Sequence, residues 1–300
     1  SLAIARDLFH GVELSRMLSL LALVSAAAPI AAPVIGGQLA RFMDWRGIFL
    51  VLAGIGTILV AVAQFGLRET LVHGRHEGSP VRSMAAHTGA ELRDPLFVAI
   101  MLVSTIGGAA FFSYLSMSSF VLQGEFGLTP QLFSLVFAAN ALMQLGGAQI
   151  SRMLVGRFGT LRMYLTGQAA GAAAAVLLLG AAILQLSPVW IIALLALYLG
   201  ATGLGGPNGT TIALGGHSSR AGTASALLGV TSFAAGAVFA PIVSAVAGIT
   251  AVSMSAFICG ASVLAALLAG FAVRRFARRR AANVPAQTTE VQRQSICAAE

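Results

Sequence analysis

Eight long stretches of this chain contain no Asp, Glu, Lys, Arg or His, and every charged residue falls between or beyond them. A charged side chain at a bilayer centre costs about 2.5 to 3.5 kcal/mol on insertion scales, so exclusion this complete is what a hydrocarbon solvent selects. The stretches run roughly from Met17 to Ala40, Gly47 to Leu67, Leu96 to Leu122, Gln131 to Ser151, Met163 to Leu186, Val189 to Ile212, Ala224 to Gly248 and Ala251 to Val273. Each is near the ~20 residues that a helix rising about 1.5 Å per residue needs to cross a core of about 30 Å. Lipid offers the backbone no hydrogen-bond partners, so a crossing segment satisfies its own polar groups, as an α-helix does. The expected fold class is an all-α polytopic membrane protein.

A large soluble core is excluded on composition, since 57% of residues are hydrophobic and 9% charged, against about a quarter charged in soluble proteins. The net charge of +8 does not mark a nucleic-acid binder, because the arginines sit in loops and the tail rather than along one amphipathic face. Their placement reports topology. With the N-terminus on the cytoplasmic side, inside segments hold sixteen arginines and outside segments only Arg41 and Arg46. Positively charged short loops are retained in the cytoplasm, so both chain ends are expected there. The basic residues are all arginine; with abundant Ala and Gly, this hints at a GC-rich bacterial coding sequence.

Cys259 lies within the last span and Cys297 in the cytoplasmic tail, so two free thiols are expected. The opening Ser1-Leu2-Ala3-Ile4-Ala5 runs straight into Arg6-Asp7 without a starting Met and reads as the end of an earlier helix. Residues 69–95 form a polar stretch with arginines, histidines and Gly and Pro breaks, dividing two spans from six. A long cytoplasmic linker before six spans is the organisation of transporters built from two six-helix bundles. In that frame residues 1–68 hold the end of a fourth helix with the fifth and sixth, 69–95 the central linker, 96–273 a six-helix C-terminal bundle and 274–300 an Arg-rich tail. Eight transmembrane helices of an expected twelve are then present, with four expected before residue 1.

Several segments together carry a resemblance. They are Arg6-Asp7-Leu8, Met17-Leu18-Ser19-Leu20, Ala28-Pro29-Ile30-Ala31-Ala32-Pro33-Val34-Ile35-Gly36-Gly37 and Asp44-Trp45-Arg46-Gly47-Ile48-Phe49, then Phe111-Phe112-Ser113-Tyr114-Leu115-Ser116, Gln123-Gly124-Glu125-Phe126-Gly127-Leu128 and Ala221-Gly222-Thr223-Ala224-Ser225-Ala226-Leu227-Leu228-Gly229. The pattern resembles the Bcr/CflA (bicyclomycin/chloramphenicol-resistance type) drug exporter family of the major facilitator superfamily, over about residues 1 to 275. The resemblance implies a major-facilitator-type helical bundle in the bacterial inner membrane and multidrug efflux by drug:proton antiport, with small amphipathic drug-like substrates, protons and the lipid bilayer as partners and no cofactor. In such proteins an acidic residue of the first helix couples the proton, and no position here matches it.

The same resemblance places Ser19, Ala28, Ala32, Pro33, Gly36 and Gly37 on the superfamily's antiporter motif, with Ser or Ala in place of its first three glycines. In the resembling proteins this helix packs against the opposite bundle and limits leak. An ordinary Pro-kinked packing helix would use the same residues, since small side chains let helices approach and proline bends the axis. Arg152, Gly156, Arg157 and Arg162 resemble the superfamily's degenerate loop between paired helices, a gating loop that stabilises one closed state. Positive-inside anchoring accounts for these arginines equally well.

Polar and aromatic residues inside the spans are the substrate-site candidates. Phe133, Phe137, Asn140 and Gln144 recur at spacings of four, three and four, which puts them on one helix face; Gly107, Phe111, Tyr114 and Ser118 do the same in the preceding span. Amides in lipid need partners, so these faces point into the bundle or a wet cavity, and Asn140 serves as interhelical glue or as a ligand contact. Asn208 follows Gly205-Gly206-Pro207 and is expected at a broken, midplane stretch of its span. Tyr198 is a weaker candidate. The substrate-binding set is thus Phe111, Tyr114, Phe137, Asn140, Gln144 and Asn208. No hydrolase, nucleotide or metal-site motif is present, and no span carries a carboxylate or histidine, so an enzyme is not expected. Export of an ordinary metabolite, or a non-transporting scaffold, would use the same fold.

Overall fold

The computed structural model describes residues 32, 35–66, 88–89, 91–215 and 221–277. Seven helices in it are long and apolar enough to cross a membrane: α1 (Trp45–Gly66), α2 (Pro95–Ser119, prolonged by a π-helical turn Phe120–Glu125), α3 (Pro130–Phe158), α4 (Thr160–Ile183), α5 (Pro188–Leu214), α6 (Ala221–Ala247) and α7 (Ala251–Ala272, prolonged by Val273–Ala277). The remaining expected span, Met17 to Ala40, is described only at Ala32 and from Ile35 onward, where residues 35–39 are helical. Pro33, most of the linker, Cys297 and the tail beyond Ala277 lie outside the described residues.

Local chemistry sets the helix ends. Proline opens α2, α3 and α5, where its missing N–H costs nothing and its fixed φ suits the first turn. Asp94 accepts the Leu96 N–H at 2.9 Å and Thr129 that of Leu132 at 3.3 Å, satisfying helix-start donors. Thr250 and Ser253 cap α7 reciprocally. The carboxylate of Glu125, at the end of α2, also accepts the Ala251 N–H at 2.6 Å and so fastens α2 to the start of α7.

Two expectations about ends and breaks are corrected. α3 continues past Ser151 to Phe158, so Arg152, Gly156 and Arg157 lie on its last turns and Arg162 on the first turn of α4. The connection is essentially Gly159, whose φ of +81° only glycine adopts freely. Charge exclusion marks where hydrocarbon ends, whereas the helical hydrogen-bond ladder runs on into the polar interface. The break expected at Pro207 is also absent, because α5 is one helix from Pro188 to Leu214. Around the proline, Asn208 Nδ2 donates to the Leu204 carbonyl at 2.9 Å and Thr211 Oγ1 to the Pro207 carbonyl at 2.9 Å.

The six helices α2 to α7 pack in the order α3, α5, α4, α7, α2, α6, each touching the next. Glycine permits the closest crossings: a Cβ on Gly205 of α5 would come within 3.3 Å of Gly167 Cα on α4. Two apolar clusters hold the group together. One joins Met117, Val121, Leu178, Leu195 and Met254; the other joins Phe97, Ile100, Ala213, Ala224 and Ala269. The first gathers the ends of α2 and α4 with the starts of α5 and α7, the second the starts of α2, α4 and α6 with the ends of α5 and α7, so α2 and α4 run antiparallel to α5 and α7 and a middle layer lies between the two clusters. Leu135, Leu177, Val189, Leu267 and many other large apolar side chains of α2 to α7 are exposed on the outside. So much exposed apolar surface is a bilayer-facing surface.

Candidate functional site

The middle of the bundle is hollow. A cavity of about 290 Å³ is walled by Phe111, Tyr114 and Leu115 of α2, Phe137, Ala141 and Gln144 of α3, Leu199 of α5, and Ala32 from the preceding helical segment. Phe137 stacks on Tyr114 with ring centroids 5.9 Å apart and planes at 12°, while Phe111 leans on Tyr114 at 6.2 Å and Phe133 on Phe137 at 5.8 Å. The i, i+3/i+4 spacing that groups these residues on α2 and α3 is what makes the rings meet.

The amides behave differently from one another. Asn140 is buried behind the aromatic stack, and its Nδ2 donates to the Tyr114 hydroxyl at 3.1 Å, an interhelical bond from α3 to α2. Gln144 sits on the cavity wall, and its Nε2 reaches Thr202 Oγ1 of α5 at 3.4 Å. Asn208 is not on this wall: its Nδ2 donates to Ser151 Oγ at 2.6 Å and ties α5 to α3. The structure therefore gathers Phe111, Tyr114, Phe137 and Gln144, puts Asn140 one layer behind them, and holds Asn208 apart.

A second cavity of about 440 Å³ lies deeper among α2 to α7, and Phe111 and Gln144 line it too. Its polar wall includes Tyr164, Gln168, Tyr198, Thr202 and Ser232. Sequence reasoning passed over Gln168, although a lone amide amid the Ala, Gly and Leu of its span was the available signal. No acidic or basic side chain lines either cavity among the described residues.

In the helical segment 35–39, Gly37 rather than Gly36 makes the close approach. A Cβ on Gly37 would lie 3.0 Å from Ser134 Cβ on α3, whereas one on Gly36 would meet nothing within 4 Å. Arg152, Arg157 and Arg162 are exposed and form no ion pair among the described residues; Arg157 lies over the Phe158 ring at 5.7 Å. Among those residues no three His, Cys, Asp or Glu side chains gather in a way that could hold a metal.

Comparison with known proteins agrees with this architecture. The profile of the Major Facilitator Superfamily matches residues 1–241. An uncharacterized MFS-type transporter, YdgK, of Bacillus subtilis is 34% identical over 275 residues, covering 89% of this chain and 67% of the relative. A bicyclomycin resistance protein homolog of Haemophilus influenzae is 28% identical over 270 residues, with the same coverages of 89% and 67%. The multidrug resistance protein MdtL of Klebsiella pneumoniae is 25% identical over 256 residues, covering 84% of this chain and 62% of the relative. The chain thus spans about two thirds of the length of these relatives. Among solved structures, an inward-facing bacterial homolog of the lysosomal transporter Spinster superposes with a TM-score of 0.67 at 17% identity, covering 92% of this chain and 74% of that one. A bacterial homologue of the iron transporter ferroportin gives 0.62 at 16%, covering 91% and 66%. Transporters, not enzymes, surround this sequence, and the chain belongs to the Major Facilitator Superfamily.

Proposed function

We propose that this chain forms part of a multidrug exporter of the bacterial inner membrane, moving small amphipathic drug-like molecules outward in exchange for protons by alternating access. The observation that carries the reading is the aromatic cavity between Ala32 and helices α2 and α3, with Phe137 stacked on Tyr114 and Gln144 at its edge. Drug-sized ligands favour such sites: apolar and aromatic walls with a few placed polar groups. Phe111, Tyr114, Phe137 and Gln144 contact the substrate, Asn140 orients Tyr114, and Asn208 packs α5 on α3. The relatives named for bicyclomycin and multidrug resistance support the substrate class.

Residues 1–68 belong to one helical bundle and 96–273 to the other, joined by the 69–95 linker, with both chain ends cytoplasmic. The approach of Gly37 to Ser134 is where the two bundles bear on each other and limit leak. Arg152, Gly156, Arg157 and Arg162 frame the cytoplasmic end of the α3–α4 pair and contribute to closure there. Among the described residues no carboxylate lines either cavity, and proton uptake is assigned to a group away from these walls. The test is expression of the complete protein in an efflux-deficient bacterium, together with uptake by everted vesicles under an imposed pH gradient. Raised tolerance to aromatic amphipaths and protonophore-sensitive uptake are expected. Unchanged tolerance with well-inserted protein would overturn the reading, and gradient-driven movement of a metabolite alone would redirect it.

A further inference from the structure

We infer that the groove between α6 and α7 is a lipid site, which takes one acyl chain of an anionic phospholipid whose phosphate lies against Arg274 and Arg275 at the end of α7. α6 and α7 are joined by a short turn and both rest on α2, yet they scarcely touch each other. Between them is a cavity of about 360 Å³, floored by Ile106 and Ala109 of α2 and flanked by Ala235 and Phe239 of α6 and Gly260 and Leu264 of α7. Phe239, Gly260 and Leu264 are exposed, so the groove opens on the outside of the bundle, where hydrocarbon lies. The site is independent of the export reading and holds whatever the cargo.

Small side chains give the groove its width: Ala109, Ala235, Gly260 and Ala261 stand where larger residues would close it. Among the described residues Thr105 is the polar member of the lining, and it turns its proton back to the Met101 carbonyl at 2.8 Å. The wall thus has no hydrogen-bond donor for a polar guest and suits a hydrocarbon chain. Near the α6–α7 turn the rings of Phe239 and Phe257 meet, with centroids 6.1 Å apart, and close that end of the groove. A chain enters from the other end.

That other end carries the charge. Along α7, Gly260, Leu264, Leu267 and Phe271 are exposed at spacings of four, three and four, so the groove continues as an apolar stripe down one helix face. The stripe finishes at Arg274 and Arg275, both exposed, with the Arg275 guanidinium over the Phe271 ring at 5.6 Å. Leu264 and Arg275 are separated by about 16 Å of helix rise, and the chains of one leaflet fill about half of a core of about 30 Å. A lipid whose phosphate meets the arginines therefore brings its chain end to the cavity. Guanidinium groups bind phosphate oxygens through paired N–H donors, and basic residues just beyond a membrane helix draw anionic lipid.

Gly260 supplies the test. A Cβ there meets nothing within 4 Å, so Gly260→Leu fills the groove without moving backbone and gains helix propensity. The complete protein, delipidated in detergent, is titrated with phosphatidylglycerol or with phosphatidylcholine of identical chains, and bound lipid is counted by native mass spectrometry. The wild type should hold one phosphatidylglycerol about tenfold more tightly than phosphatidylcholine. Gly260→Leu should weaken both lipids by about tenfold. Gly180→Leu, at a glycine of α4 where a Cβ is equally unobstructed, should change neither. Arg274→Gln combined with Arg275→Gln should remove the preference and leave phosphatidylcholine binding as it was. Wild-type lipid binding by Gly260→Leu would overturn the groove as the site, and a preference that survives loss of both arginines would overturn the phosphate contact. A dimer that forms without lipid, and that Gly260→Leu dissociates, would give the groove to a second copy of the chain instead.

Discussion

Asn208 and Ser151 face each other across the α3–α5 crossing, with the amide Nδ2 donating to the hydroxyl at 2.6 Å. Both side chains are buried, so the bond joins two helices away from the cavity walls. Interhelical hydrogen bonds in membranes contribute about 0.6 kcal/mol on average and up to about 1.7. Asn208→Leu should lower thermal stability in detergent by that order and leave KM for export unchanged. An undisturbed Tm with a raised KM would return Asn208 to the binding site.

Gly37 and Gly36 are neighbours with opposite surroundings. Gly37 lies against Ser134, where an added Cβ is 3.0 Å from the serine Cβ, while Gly36 opens onto empty space. Gly37→Leu should therefore push the helical segment off α3 and reduce export severely without preventing insertion. Gly36→Leu should be close to silent. Export by vesicles with matched protein content reads both variants, and equal effects at the two positions would dissolve the contact.

Much of the fold was legible because hydrocarbon punishes charge residue by residue. The expected spans Met163 to Leu186 and Ala251 to Val273 differ from α4 (Thr160–Ile183) and α7 (Ala251–Ala272) by no more than a turn. The aromatic face of α3 was legible because Phe133, Phe137, Asn140 and Gln144 repeat at helical spacing, and three of those four meet α2 residues through a ring contact, a hydrogen bond or a shared wall. What escaped was set by partners distant in sequence. Asn208 looked like a break because Gly and Pro precede it, but Ser151, on another helix, consumes its amide. Gln168 stood in a span of Ala, Gly and Leu with no polar periodicity to aim it, so only the packing of α4 on α5 and α7 reveals the cavity beside it.

The orientation of the bundle is open to direct measurement. Gly124 and Gly159 flank opposite ends of α3 (Pro130–Phe158), whose 29 residues correspond to about 43 Å of helix. On the sixteen-to-two division of arginines, Gly159 is expected on the cytoplasmic side. In a cysteine-free background, Gly124→Cys and Ser187→Cys should react with an impermeant maleimide added to intact cells. Gly159→Cys should react only after permeabilisation. The reverse pattern would invert the topology and the direction of transport with it.

Phe137 stacks on Tyr114 at a centroid distance of 5.9 Å and an angle of 12°, and both rings wall the smaller cavity. Aromatic pairs gain about 0.5 to 1.5 kcal/mol beyond their buried area. A substrate ring lying against this surface draws on the same attraction, and leucine there keeps most of the apolar burial while losing the π face. Phe137→Leu should thus raise KM for aromatic cargo by roughly two- to tenfold. Phe133, one turn away, touches Phe137 but does not line either cavity, so Phe133→Leu should change KM much less at comparable protein levels. Initial rates of gradient-driven uptake across a concentration series separate KM from turnover. A Phe133→Leu effect equal to that of Phe137→Leu would mean that the rings act as packing, and the aromatic cavity would lose its role as the drug site.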